Sequence, residues 1–261
     1  MDDPLATRPA LDSAHHYFPW VLLKILFYAF TYRAIHYFLV LRQSREKNYG
    51  QNDADGRKSW RIANETTSII HSIVSGSWAL SSLIKYPRMW TDMIEWYDDS
   101  TYSLVLMYVG YLLNDIVDML INERSSRVSE LLIHHVTAFA AFGCSVYTKR
   151  FVALCACALL MEVNSVFLHA RSVMNMRAYD KTSPVYKAVV CANIITFVIF
   201  RLGATAYMSL WVWRVRNIVE TLYVTVGLFG SITLTIMNAF LFYRLLRTDY
   251  LIFRKPTTCT E

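Results

Sequence analysis

Apolar blocks about 20 residues long, separated by short polar stretches, are the feature that most restricts how this chain can fold. A helix of about 20 apolar residues crosses the hydrocarbon core of a bilayer. Since only helices and closed barrels satisfy their backbone groups in lipid, and no alternating pattern runs through the blocks, we expect helices. The blocks cover residues 18–41, 65–84, 101–121, 130–147, 151–172, 187–210 and 219–244.

The predicted fold class is therefore all-α, a polytopic transmembrane helical bundle. We expect about seven spans, or six if the fifth block, which carries the most polar groups, does not cross. A polar N-terminal tail over 1–17 precedes one transmembrane domain over 18–246, and a cytosolic tail over 247–261 follows it. The longest predicted loop, 42–64, leaves no room for a second domain.

The basic residues indicate orientation in a membrane. The net charge is +6, but lysine and arginine lie in short loops and form no continuous face, which argues against a nucleic-acid partner and for membrane lipids. Sixteen of these residues fall on one side of the predicted bundle and seven on the other. The bias predicts an N-terminus outside and a cytosolic C-terminus, so the sequon at Asn64 should stay unmodified.

No metal or cofactor is predicted from the cysteines. Most of the five lie inside apolar blocks, and the spacing of Cys155 and Cys157 does not suit a zinc site. We interpret them as small packing residues.

Ionisable residues inside the apolar blocks are the candidate functional groups, because such groups are costly in lipid and usually mark a site or an internal pair. Several of them lie near the same predicted membrane boundary, which predicts a cluster in the cytosolic half of the bundle. The candidates, with one hydroxyl that shares a helix face with them, are His71, Asp115, Asp118, Glu130, His134, His135, Glu162, Ser165, His169 and Arg201.

The pairing within this cluster is open at this level. His134 and His135 point about 100° apart on a helix, so they cannot share one partner. Glu130 could orient His134, which would leave His135 to face Asp115 and Asp118, or the reverse. Arg201 could pair with Glu162, bind a lipid headgroup or extend toward the interface.

Four segments in order resemble the TLC-domain membrane proteins, a family that includes ceramide synthases. They are "SWRIANETTSIIHSIVSGSWAL" (59–80), "YVGYLLNDIVDML" (108–120), "ELLIHHVTAFAAF" (130–142) and "ALLMEVNSVFLHARSVM" (158–174). The resemblance covers roughly residues 55–245. It is closest to the branch that regulates phospholipid composition and fluidity at the plasma membrane.

That resemblance implies a role in limiting the incorporation of fluidising polyunsaturated chains into phospholipids. The ceramide synthases imply an alternative, a membrane acyltransferase in which acyl-CoA is a substrate. His134 and His135 match their histidine pair, with Asp115 and Asp118 as orienting acids. The later His-Asp motif is absent, since Met161 and Glu162 stand there.

If the chain is not an acyltransferase, the other polar residues are interpreted as a lipid-binding cluster. A proton-coupled transporter is a third alternative. It is disfavoured because proline is absent from the second to seventh blocks, where broken helices would be expected. The predicted location is the plasma membrane, with the endoplasmic reticulum as the alternative.

Overall fold

A computed structural model describes residues 14–46, 53–122 and 128–253, with side chains over 18–43, 56–122 and 132–248. These residues form helices and no strand. A 3-10 turn, Pro87–Trp90, follows the second helix, and a π-helical segment, Phe197–Gly203, joins the seventh and eighth. The helices are α1 (Ala14–Glu46), α2 (Asp53–Lys85), α3 (Asp99–Asn122), α4 (Val128–Thr148), α5 (Val152–Ala158), α6 (Met161–Met176), α7 (Pro184–Thr196), α8 (Ala204–Val215) and α9 (Thr221–Phe253).

Six helical segments within the described residues are long and apolar enough to cross a membrane. They are Phe18–Gln43, Gly56–Lys85, Asp99–Asn122, Val152–Met176, Pro184–Val215 and Thr221–Thr248. Helix α4, with 21 residues, also has the length of a span. The predicted all-α polytopic bundle is confirmed.

The prediction of a long loop over 42–64 is wrong. Helix α1 continues to Glu46 and α2 begins at Asp53, twelve residues before the predicted block. The early part of α2 is amphipathic: Ala63 is fully buried, whereas Arg57 and Lys58 are exposed. A search for uniformly apolar residues detects only the part of such a helix that lies deep in lipid.

Two predicted spans are interrupted. The fifth block is split between α5 and α6 at Leu159 and Leu160, and the sixth passes through the π-helical segment before ending in α8. Short π-helical segments occur inside longer α-helices and are common at functional sites. The interruption in the sixth span contains Arg201, so it bears directly on the site described below.

Helix α3 lies at the centre of the bundle. In the most apolar stretch of α3, 72% is buried inside the molecule, against 6% in the corresponding stretches of α1 and α9. The outer helices therefore present apolar side chains such as Phe30 and Phe240 to the lipid. Helix α1 contacts α3 closely at Gly110, where an added Cβ would lie 2.6 Å from the carbonyl oxygen of Ile25.

Short connections place consecutive segments antiparallel, so the bundle has two ends. The α4–α5 end carries residues 86–98, 149–151 and 216–220, and the opposite α3–α4 end carries the predicted cytosolic loops. At the α4–α5 end, the Phe151 amide donates to the carbonyl of Ile94 over 2.8 Å.

Candidate functional site

The centre of the candidate site is a buried aspartate–histidine pair between α3 and α4. The Nε2 atom of His135 lies 2.7 Å from Oδ2 of Asp115, and both residues are buried. The sequence left open which of the two histidines faces the aspartates of α3, and in the structure His135 pairs with Asp115. This pair holds α4 against the central helix α3.

Asp118 faces a different helix from Asp115. Its Oδ1 atom accepts from Nη1 of Arg33 in α1 over 2.6 Å and from Nδ2 of Asn122 over 3.2 Å. Arg33 also donates to the carbonyl oxygen of Asn114. The two aspartates, three residues apart, therefore serve two separate helix contacts and not one common site.

His169 is held by a carboxylate on α2. Its Nδ1 atom lies 2.6 Å from Oε2 of Glu65, and Ser172 donates to the other oxygen of the same carboxylate over 2.9 Å. Glu65 lies in the first half of α2, at the edge of a predicted block. It was not among the residues singled out from the sequence, because an acid at a block boundary looks like a solvated end.

His71 lies in an aromatic environment close to the middle of α2. It is fully buried, with its ring stacked on Tyr111 at a centroid distance of 3.7 Å, and its Nδ1 atom lies 3.1 Å from the hydroxyl of Tyr32. Tyr111 donates in turn to Ser68. This group ties α1, α2 and α3 together through rings and hydroxyls.

Arg201 makes contacts with neutral oxygens. Its Nε atom donates to Oδ1 of Asn164 over 2.7 Å, and Nη2 donates to Oγ of Ser165 over 2.8 Å. Nη1 lies 3.4 Å from Oδ1 of Asn238 in α9. Of the three alternatives for Arg201, a direct hydrogen bond to Glu162 is not observed among the described contacts, and Glu162 accepts instead from Ser72 over 2.6 Å.

A cavity of about 160 Å³ lies beside these polar residues. Its walls come mainly from apolar side chains of α4, α5, α8 and α9, with small residues such as Ala141, Gly227 and Gly230 creating the space. Engineered protein cavities of roughly this size, lined by apolar groups, bind small apolar molecules. The volume suits part of an acyl chain and is too small for a whole lipid.

Three of the residues predicted from the sequence line this cavity: His134, Glu162 and Arg201. Glu162 and Arg201 lie near the middle of their spans, and Phe151 and Tyr223 line the cavity at the α4–α5 end. The structure thus divides the predicted cluster between this cavity and several separate helix contacts.

Six other predicted residues lie outside the cavity lining and occupy the helix contacts described above: His71, Asp115, Asp118, His135, Ser165 and His169. The side chain of Glu130 lies outside the described part of the molecule. Arg33 and Asn238 were missed by sequence reasoning, although an arginine inside the first apolar block was a usable signal.

No group of three or more His, Cys, Asp or Glu side chains is placed to hold a metal ion within the residues that the structure describes. The cavity lining combines one imidazole, one carboxylate and one guanidinium with apolar walls, and it also carries several hydroxyls and the thiols of Cys144 and Cys155. These polar groups can form hydrogen bonds with the carbonyl or headgroup of a lipid while its acyl chain contacts the apolar walls of the cavity.

Comparison with known proteins gives the family. A family model described as the TLC domain matches residues 61–247, most of the chain. The chain belongs to the TLC-domain family. TLC domain-containing protein 2 of Danio rerio is 38% identical over 195 residues, 75% of this chain and 79% of that protein.

Two mammalian relatives extend the comparison. TLC domain-containing protein 1 of Mus musculus is 34% identical over 203 residues, covering 77% of this chain and 81% of the mouse protein. TLC domain-containing protein 2 of Homo sapiens is 32% identical over 199 residues, 76% of this chain and 75% of the human protein. Because the match covers most of the transmembrane bundle, from α2 to α9, this TLC-domain protein is a multi-pass membrane protein.

Proposed function

We propose that this TLC-domain protein regulates the acyl composition of membrane phospholipids and limits the incorporation of fluidising polyunsaturated chains. The observation that carries the proposal is the cavity inside the membrane-spanning bundle, with apolar walls and His134, Glu162 and Arg201 on its lining. The cavity would hold the carbonyl end of a lipid's acyl chain, with the carbonyl or the lipid headgroup near those three side chains. We place the protein in the plasma membrane.

The shape of the cavity supports a selective lipid contact. Gly227 and Gly230 lie one helical turn apart on α9 and line the cavity, so the space there depends on missing side chains. An added Cβ at Gly230 would meet no atom within 4 Å, which leaves room for a ligand beside this backbone. Bends in a chain with several double bonds would place its atoms differently from those of a straighter chain in so narrow a space.

The proposal is tested by filling the cavity with a larger side chain and measuring the polyunsaturated fraction of cellular phospholipids. Cells that lack the protein should contain a larger polyunsaturated fraction in their phospholipids, measured by lipid mass spectrometry. The wild-type chain should reverse the change, whereas Gly230→Leu should not, because leucine occupies the cavity. Gly143→Leu is the matched control: Gly143 is also a helical glycine with open space around its Cβ, and it does not line the cavity.

Two results would contradict the proposal. One is an unchanged polyunsaturated fraction in cells that lack the protein. The other is full reversal by Gly230→Leu at the same abundance as wild type, since the cavity would then play no part.

A membrane acyltransferase that uses acyl-CoA is the second candidate, and the position of His134 on the cavity lining favours it. A general base or acyl acceptor needs a nearby group to orient its ring. The carboxylate of Asp115, however, holds His135 and not His134. Because the oriented histidine and the cavity histidine are different residues, we prefer the regulatory function.

Acyl-CoA turnover by purified protein in detergent decides between the two. The regulatory function predicts no turnover by a folded protein. Turnover that is lost in His134→Ala and retained in Gly143→Leu would replace it with the acyltransferase.

A further inference from the structure

Arg150 joins the three connections at the α4–α5 end of the bundle. Its Nε atom lies 2.8 Å from Oε1 of Glu95, in the connection before α3, and its Nη1 atom lies 2.9 Å from Oε1 of Glu220, just before α9. We call Arg150, Glu95 and Glu220 the clasp. The clasp connects parts of the chain that are 55 and 70 residues away from Arg150 in sequence.

The backbone around Arg150 is held in an unusual conformation. Lys149 and Phe151 have φ angles of 54° and 63°, in the left-handed region that residues with a side chain seldom adopt. The carbonyl oxygen of Arg150 accepts from Ser145 over 2.7 Å, and the Phe151 amide donates to Ile94. Strained residues persist where their surroundings impose them, and such positions are common at switches and ligand sites.

The clasp is in direct contact with the cavity wall. The Arg150 guanidinium carbon lies 5.4 Å from the ring centroid of Phe151 and 5.9 Å from that of Tyr223. These two rings contact each other, with centroids 5.5 Å apart, and both line the cavity. The Tyr223 amide donates to the carbonyl of Glu220, so the carboxylate and the ring belong to the same first turn of α9.

The two ion pairs of the clasp are of the weak, solvent-accessible kind. The Glu220 side chain is 60% exposed and that of Glu95 is 43% exposed, and exposed pairs contribute little to stability. The hydrogen bond from its own backbone amide and the contact with Arg150 lower the pKa of Glu220, so this carboxylate is charged near neutral pH. A contact of this strength holds two rings together but permits their separation.

We propose that the clasp is a gate, in which release of Glu220 by Arg150 lets Phe151 and Tyr223 separate and opens the cavity at the α4–α5 end. This inference rests on the proposed function in one respect: the ligand that the gate admits is the lipid acyl chain assigned to this cavity. It deepens that function by placing control of access at the end opposite the predicted cytosolic loops.

Two native cysteines report on the gate without any lipid. Cys155 lines the cavity, whereas Cys157, two residues further along α5, is fully buried and lies outside the lining. One protein keeps Cys155 alone and another keeps Cys157 alone, with every other cysteine replaced by alanine. Each is purified in detergent and treated with the thiol reagent methanethiosulfonate ethylammonium, and the rate of modification is measured by mass spectrometry.

The expected result is a faster reaction at Cys155 when the clasp is broken. Glu220→Gln removes one pair and should raise the rate by up to about fivefold, the factor that corresponds to the upper end of the contribution of one exposed ion pair. Arg150→Gln removes both pairs and should raise it further. The rate at Cys157 should not change, and Arg88→Gln, which breaks the exposed pair with Asp92 at the same end, should leave Cys155 unchanged.

Two outcomes overturn the gate. One is an unchanged rate at Cys155 in both clasp variants. The other is an equal increase at Cys155 and Cys157, which would mean that the clasp only stabilises the fold. Because the assay contains no lipid substrate, its failure is separate from a failure of the lipid measurements in cells.

Discussion

Neighbouring residues with the same side chain have different surroundings in this protein. His135 is buried and paired with Asp115, whereas His134, about 100° around α4, lines the cavity with Glu162 and Arg201. The structure thus separates a histidine that holds helices together from one that is available to a ligand. The sequence predicted the pair of rings and the nearby acid, but which ring faced which neighbour depended on the rotation of α4 against α3.

Replacing each histidine by alanine should separate these roles. His135→Ala removes a contact between buried helices and should lower the free energy of unfolding by about 0.6–1.7 kcal/mol, from the average to the maximum for polar contacts between membrane helices. His134→Ala should change stability less but abolish the reversal of phospholipid unsaturation in cells. Thermal unfolding of purified protein in detergent and lipid mass spectrometry supply the two measurements. An equal loss of stability in both variants would contradict this division.

At the scale of elements, the contact between α2 and α6 depends on a glycine. At Gly76 an added Cβ would lie 2.9 Å from the backbone nitrogen of Val163 and 3.2 Å from the carbonyl carbon of Glu162. Because these neighbours are backbone atoms, the two helices would have to move apart. The same helix pair contains the Glu65–His169 and Ser72–Glu162 contacts, so close approach at Gly76 positions both of them.

Gly76→Ala should therefore destabilise the protein, by about 1–3 kcal/mol as in other overpacked interiors. Gly56→Ala is the control within the same helix, because an added Cβ there meets no atom within 4 Å. It should leave stability unchanged or raise it slightly, since alanine favours a helix over glycine. Thermal unfolding in detergent measures both, and equal midpoints for the two variants would show that α2 and α6 are not tightly packed at Gly76.

The π-helical segment, Phe197–Gly203, was not predicted from the sequence. It contains Arg201 and lies where α7 joins α8, and its longer turn changes the direction of the side chains that follow. In the structure, Arg201 reaches Asn164 and Ser165 on α6 and Asn238 on α9. An ordinary α-helical register would rotate the guanidinium away from at least some of these partners.

At the scale of the whole molecule, the distribution of basic residues predicts the orientation in the membrane. Sixteen lysine and arginine residues in the predicted cytosolic loops and tail, against seven on the other side, predict that the α3–α4 end faces the cytosol. In that orientation the clasp faces the outside or the lumen, and the cavity extends toward it. This arrangement would give the cavity its regulated opening on the non-cytosolic side.

Glycosylation tests the orientation. An acceptor tag added before residue 1 should be modified in cells, and the same tag added after residue 261 should not. The natural sequon at Asn64 should remain unmodified, so Asn64→Gln should leave the electrophoretic mobility of the chain unchanged. Removal of glycans with a glycosidase provides the measurement, and modification of the C-terminal tag would reverse the orientation.

The sequence by itself determined the all-α membrane bundle, its approximate spans and the family, because block length, helix-only backbone satisfaction and ordered motifs are local properties of the chain. It also identified most of the ionisable residues inside the membrane, since their cost in lipid makes each one conspicuous. Tertiary structure alone decided their partners. Helix rotation, the break between α5 and α6, and the π-helical segment directed some of them into separate helix contacts and three of them to the cavity, and these depend on packing between distant segments.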